Sequence, residues 1–164
     1  MYERRSWREI ALMRKAGLVV WQAHQLIASL LHPGVTTREI DKAVEDFYHQ
    51  QNAQSLFKGV PGKVPFPAVT CISINEEVVH GIPGPRTLKE GDIVGIDTGC
   101  RVNGWCGDMA VTYPVGRVHP ELQRLLDVTR NTLDLAIASM GKCAYWSQVA
   151  AQMEAYVSLR YPTS

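Results

Sequence analysis

The stretch Asp92-Ile-Val-Gly-Ile-Asp97-Thr-Gly-Cys-Arg-Val-Asn-Gly-Trp-Cys-Gly-Asp108-Met-Ala-Val-Thr-Tyr-Pro114 decides how this chain is read. Two apolar-rich runs flank Asn103-Gly104, and Asn-Gly is the favoured pair for a two-residue type I′ hairpin turn. With that turn, Val102 faces Trp105, Asp97 faces Ala110 and Asp108 faces Gly99. Opposed residues share a face of a sheet, as do residues two apart. Asp97 and Asp108 therefore emerge on one face as diagonal neighbours, with Cβ atoms about 7–8 Å apart or somewhat less. Gly95, Gly99 and Ala110 lie on the same face, and their small size leaves a hollow between the acids. Val94, Ile96, Met109, Val111 and Tyr113 take the other face and suit burial. Two carboxylates aimed at one hollow repel each other, and a bound cation relieves the repulsion. A pair of metals about 3.5–4 Å apart fits between carboxylates so placed. A solvated sheet face also carries aspartates, so the pair needs a third partner before it reads as a metal site.

Upstream, Ser6-Trp7-Arg8-Glu9 has the form of a capping box, which starts a helix by satisfying its free backbone donors. Ile10, Met13, Gly17, Val20, Ile27 and Leu31 recur near helical spacing and predict one buried face. His32-Pro33-Gly34 ends that helix. A second capping box, Thr36-Thr37-Arg38-Glu39, opens another, with Ile40, Ala43, Val44 and Phe47 inward and an end near Asn52. The Gly- and Pro-rich stretch 57–67 reads as a functional loop. Val69 to Ile74 is a predicted strand, and Glu76 to Val79 a second short one. A third helix is expected over residues 119–140, burying Leu122, Leu125, Leu126, Leu133 and Ile137. A fourth is expected from Ser147 to about Leu159. Helices, then strands, then helices indicate an α+β fold. The whole, residues 1–164, is expected to be a single catalytic-type domain.

The chain's 164 residues carry a formal net charge of +1, which gives no electrostatic footprint for nucleic acid. No apolar run reaches the roughly 18 residues of a membrane span, and the N-terminus has no signal-peptide core. Cys71, Cys100, Cys106 and Cys143 form no C-x-x-C pair and read as free thiols of a reducing compartment. Cys100 and Cys106 fall on opposite faces of the hairpin, so no disulfide is expected between them.

The third partner comes from a wider pattern. Cys71-Ile-Ser-Ile-Asn75-Glu76-Glu77-Val-Val-His80-Gly81-Ile82-Pro83, then Gly91-Asp92, Asp97 and Gly107-Asp108, closely resembles type I methionine aminopeptidases. Pro33-Gly34-Val35-Thr36-Thr37 and Glu39-Ile40-Asp41 match as well. The resemblance implies the N-terminal half of the pita-bread fold, an antiparallel sheet flanked by helices. It implies removal of the N-terminal methionine from nascent polypeptides by metal-dependent hydrolysis. Two divalent ions (Co, Mn, Fe or Zn) would be the cofactors of the complete enzyme. Asp97 would bind one metal through both oxygens and Asp108 would bridge the two. His80 would be catalytic, hydrogen-bonding the scissile peptide, and Cys71 and Phe66 would line the methionine pocket. The partners implied are nascent polypeptide N-termini and the ribosome, with no nucleic acid or membrane, for a monomeric cytoplasmic enzyme.

Two departures stand beside the likeness. The family supplies one more histidine and two glutamates from a C-terminal half, and His119, Glu121 and Glu154 match none of them. The 164-residue chain is therefore expected to be an incomplete piece, inactive by itself. The loop from Gly59 to Pro67 also lacks the tyrosines usual near the pocket, with Phe66 as their substitute. The rival reading is a non-catalytic pita-bread protein that binds peptides or partners. Such proteins usually lose the metal aspartates, and both persist here. A proline-specific peptidase of the same fold would normally carry a long N-terminal domain, for which the start at Ser6 leaves no room.

Overall fold

The computed structural model describes residues 3–161, which fall into two compact units divided between Val118 and His119. The first unit contains helices α1 (Trp7–Leu30) and α2 (Thr37–Gln50) and strands β1 (Gln54–Ser55), β2 (Thr70–Ile74), β3 (Ile93–Val102) and β4 (Trp105–Pro114). The second contains α3 (Pro120–Met140) and α4 (Trp146–Ser158).

Both expected capping boxes are present. Ser6 and Thr36 each accept the N–H three residues on, while Glu9 and Glu39 reach back to the cap backbone. The expected hairpin register is also the observed one, with Asp97 opposite Ala110, Gly99 opposite Asp108 and Val102 opposite Trp105. Asn103 and Gly104 both have positive φ, as a type I′ turn requires.

Strand β3 is the centre of the antiparallel sheet. Strand β4 takes one edge along its length, and β2 and β1 share the other, β2 opposite residues 94–98 and β1 opposite Cys100 and Arg101. The two-residue β1 was not foreseen. The short strand expected over Glu76–Val79 does not form. Asn75 turns the chain with φ of 56°, and the Glu77 side chain accepts the Ile74 N–H at 2.8 Å, closing the strand off.

The core lies behind the sheet. Val94, Ile96 and Cys100 of β3 pack with Val20, Ala23 and Ile27 of α1 and with Ile40, Val44 and Tyr48 of α2. Each large aliphatic side chain so buried contributes about 1.5–3 kcal/mol. The sequence placed Ile10 and Met13 on the buried face of α1, and both are exposed; the inward stripe runs through Ala16, Val20, Ala23, His24 and Ile27. The reason lies on β4. A Cβ on Gly107 would stand 2.6 Å from the carbonyl of Ala16, so the strand meets the helix backbone itself there. That close approach rotates Ala16 inward and Met13 out.

In the second unit, α3 buries Val128, Thr132, Ala136 and Ser139, not the leucines. Leu133 and Ile137 are 59% and 57% exposed. Small side chains let α4 pack closely, and the Ser139 hydroxyl donates to Gln152 Oε1 at 2.8 Å.

Candidate active site

The first unit directs two carboxylates and a histidine toward one pocket. On the face of the sheet away from the helices, β4 exposes Cys106, Asp108, Ala110 and Thr112, alternating with half-buried or buried neighbours. Asp97 lies directly between Cys71 on β2 and Ala110 on β4. Glycine opposite Asp108 leaves room for its carboxylate, since a Cβ on Gly99 would stand 2.7 Å from the Asp108 Oδ1.

Several contacts fix the frame of this face. Asp41 on α2 accepts the backbone N–H groups of Val69 and Thr70 at 3.0 and 2.9 Å and the Thr70 hydroxyl at 2.7 Å, which anchors the start of β2. Behind Asp97, the buried Tyr48 phenol bonds the Thr98 hydroxyl at 2.9 Å, and Thr98 donates on to the Val69 carbonyl. At the far end of β2, the Asn75 side chain accepts the Ile93 N–H and donates to Asp92, joining β2 to β3.

His80 arrives from the edge of β2. Its φ is 60°, uncommon for a residue with a side chain. Gly81 explains the placement. It exchanges hydrogen bonds with Ile72 and Ser73, and a Cβ there would lie 2.0 Å from the Ile72 carbonyl oxygen. Thr37 at the start of α2 holds Gly84 from both sides, at 2.8 and 3.1 Å. The segment His80–Gly84 is thus pinned at both ends. The loop over residues 57–67 closes opposite it through Gly59 N–H to Phe66 and Phe66 N–H to Val60.

These elements enclose a pocket of about 580 Å³, lined by Phe57, Phe66, Cys71, His80, Asp97 and Asp108 together with the rest of the loop and Ile82. Every site residue singled out in the sequence lines this one pocket. Burial raises the Asp97 carboxyl above its ordinary value, the Asp108 charge raises it further, and the nearby His80 opposes both. Burial also pushes the Cys71 thiol up to about 11, with Asp97 and Asp108 adding to the rise. Cys71 is therefore a neutral wall of the pocket at pH 7. All four cysteines are free.

Hard oxygen donors with a raised carboxyl pKa fit a divalent cation, since a cation removes the repulsion that raises it. The set is short, however. Among the described residues no group of three His, Cys, Asp or Glu side chains converges as a metal shell.

The sequence did not reveal the roles of His24 and Gly107. His24 is buried on α1. Its Nε2–H donates to the Met109 carbonyl at 2.9 Å, and its Nδ1 lies 3.0 Å from the Tyr113 hydroxyl. It clasps β4 one residue from Asp108. A signal was available, because His24 falls at helical spacing within the stripe of Val20 and Ile27.

Residues 11–162 match metallopeptidase family M24, and the chain belongs to that family. The chain is similar to methionine aminopeptidases in sequence and in fold. The chain is 40% identical over 150 residues to methionine aminopeptidase 1 of Bacillus subtilis (strain 168), a match covering 92% of this chain and 59% of that protein. Crystal structures of methionine aminopeptidases from Thermotoga maritima and Rickettsia prowazekii superpose with TM-scores of 0.78 and 0.79, at 38% and 34% identity. Each superposition covers 84% of this chain and 54% of the other. The fold is the α+β pita-bread fold, and the match is to the N-terminal half of the type I enzymes. The chain spans less than two thirds of the length of these relatives.

Proposed function

We propose that the protein removes the N-terminal methionine from nascent polypeptides by metal-dependent hydrolysis, acting in the cytoplasm. The observation that supports this most is the convergence of Asp97, Asp108 and His80 on one pocket in a chain of this family. In this reading Asp97 and Asp108 would hold the divalent metal cofactor, two ions of Co, Mn, Fe or Zn in the complete enzyme. Such a pair, when bound, supplies Lewis-acid polarisation of a carbonyl and lowers the pKa of water toward neutrality. His80 donates a hydrogen bond to the scissile peptide, held in place by the pinned Gly81 behind it. Phe66 and Cys71 form the apolar wall for the methionine side chain, and the neutral Cys71 thiol adds no charge to it. The two units form parts of one catalytic-type domain, and the complete enzyme is a monomer that meets its substrates at the ribosome.

The test is hydrolysis of a methionyl tripeptide by the protein from its native source, loaded with Co or Mn. Turnover restricted to N-terminal methionine and abolished by Asp108→Ala is expected. Metal held through Asp97 and Asp108 without any peptide cleavage would contradict the proposal and favour a peptide-binding role. The 164-residue chain by itself is expected to show no turnover, because among its described residues only Asp97 and Asp108 converge as metal donors. Clear turnover by that chain would refute the expectation.

A further inference from the structure

Helix α1 has two opposed faces, and the outward one is unusual. Ala16, Val20, Ala23, His24 and Ile27 are buried. At 3.6 residues per turn, the opposite direction carries Trp7, Arg14, Leu18 and Trp21. Trp7 is 86% exposed, Leu18 40% and Trp21 49%. The two indoles stand about 21 Å apart along the axis, so the apolar stripe covers the helix from Trp7 to Trp21, and the exposed Gln22, Gln25 and Ser29 continue the same face as polar residues. Ile10, also exposed, widens it on one flank.

Cations border the stripe. Arg4 precedes the helix, Arg8 and Lys15 lie on one shoulder, and Arg14 sits within the stripe. None of the four forms an ion pair with a described residue. The only acid of α1 is Glu9, and it is held by Ser6 and Arg5. The outward face is therefore apolar and positive, with no free carboxylate.

We propose that this face docks on an anionic lipid surface, with α1 lying in the plane of the headgroups. The chemistry matches on three counts. Indoles settle at the level of lipid headgroups. Arginine and lysine lay their stems along apolar surface and lift their charges to the phosphates. Cations near an acidic membrane surface are attracted to it. A convex helix can lay the stripe from Trp7 to Trp21 on a flat surface, whereas single-stranded RNA is bound in grooves that stack its bases. A protein helix seated on the stripe would bury Arg14 and would need a matching carboxylate. No described helix is long and apolar enough to cross a membrane, and an interfacial helix needs only one suitable face. Asp97 and Asp108 lie on the other side of the sheet, so docking leaves their pocket open. The proposal does not depend on the peptidase reading.

The experiment is cosedimentation with vesicles of phosphatidylcholine, with and without phosphatidylglycerol, together with quenching of tryptophan fluorescence by brominated acyl chains. Binding is expected only with phosphatidylglycerol, and weaker in high salt. Trp7→Ser with Trp21→Ser should lower partitioning by about tenfold or more. Arg14→Gln and Lys15→Gln should each lower it by about fivefold. All four side chains are exposed, so these variants should keep the parent melting temperature. No binding to the acidic vesicles would overturn the proposal. So would binding that survives loss of both indoles, or binding to single-stranded RNA in place of vesicles.

Discussion

Asp97 holds its proton more tightly in the folded chain than in the unfolded one, because burial and the Asp108 charge both disfavour its ionised form. Stability from a raised carboxyl pKa is fully present below the unfolded value, about 3.9, and is lost as pH rises through the folded value. Without metal, Asp97→Asn should therefore be the more stable protein at neutral pH, by up to about 1 kcal/mol. The two proteins should converge in acid. Urea unfolding across a pH series measures this, and an equal difference at every pH would contradict it. Gly99 makes a second residue-scale prediction. A methyl group there would force the Asp108 carboxylate to turn, so Gly99→Ala should weaken divalent-metal binding by about tenfold or more. Calorimetric titration checks this, and unchanged affinity would count against the assigned geometry. Asp97 and Asp108 were legible because one Asn-Gly turn fixes every pairing in the hairpin. The work of Asp41 was not legible, because its three donors lie at residues 69 and 70, a contact that only the tertiary fold creates.

Among the elements, the pairing of α1 with β4 carries the site. His24 and Gly107 clasp the outer edge of the strand on either side of Asp108. His24→Leu leaves the Met109 carbonyl without its donor and should cost about 1–3 kcal/mol. Burial lowers the His24 pKa. Its contribution is therefore present above the unfolded value, about 6.5, and is lost as pH falls toward the folded value. The variant should lack that part of the acid loss, which thermal melts between neutral and mildly acidic pH can detect. A variant as pH-sensitive as the parent would contradict this. Helix boundaries were readable from caps and from His32-Pro33-Gly34, because those signals are local. The buried faces of α1 and α3 were not, because a backbone-to-backbone contact at Gly107 and a stripe of small residues on α3 outweighed the large apolar side chains. The absent strand after Asn75 has a local cause as well. A left-handed residue and a side-chain cap stop β2 there, whatever the β propensity of Val78 and Val79.

At the scale of the molecule, the sheet and its two covering helices form a scaffold that presents one acidic face, walled by a Pro- and Gly-rich loop and a pinned His-Gly-Ile-Pro segment. The family and the half of the fold were readable from motifs, because glycines and aspartates at fixed offsets record backbone constraints as well as chemistry. The division after Val118 was not foreseen, although Pro114, Gly116 and Pro120 surround it. The central claim is that Asp97 and Asp108 together hold a divalent metal. Titration of the metal-free protein with Co²⁺, followed by its visible absorption, tests this most directly. Binding that is weakened strongly by Asp97→Ala and by Asp108→Ala, with the fold retained, is the predicted result. Binding that neither substitution changes would contradict it.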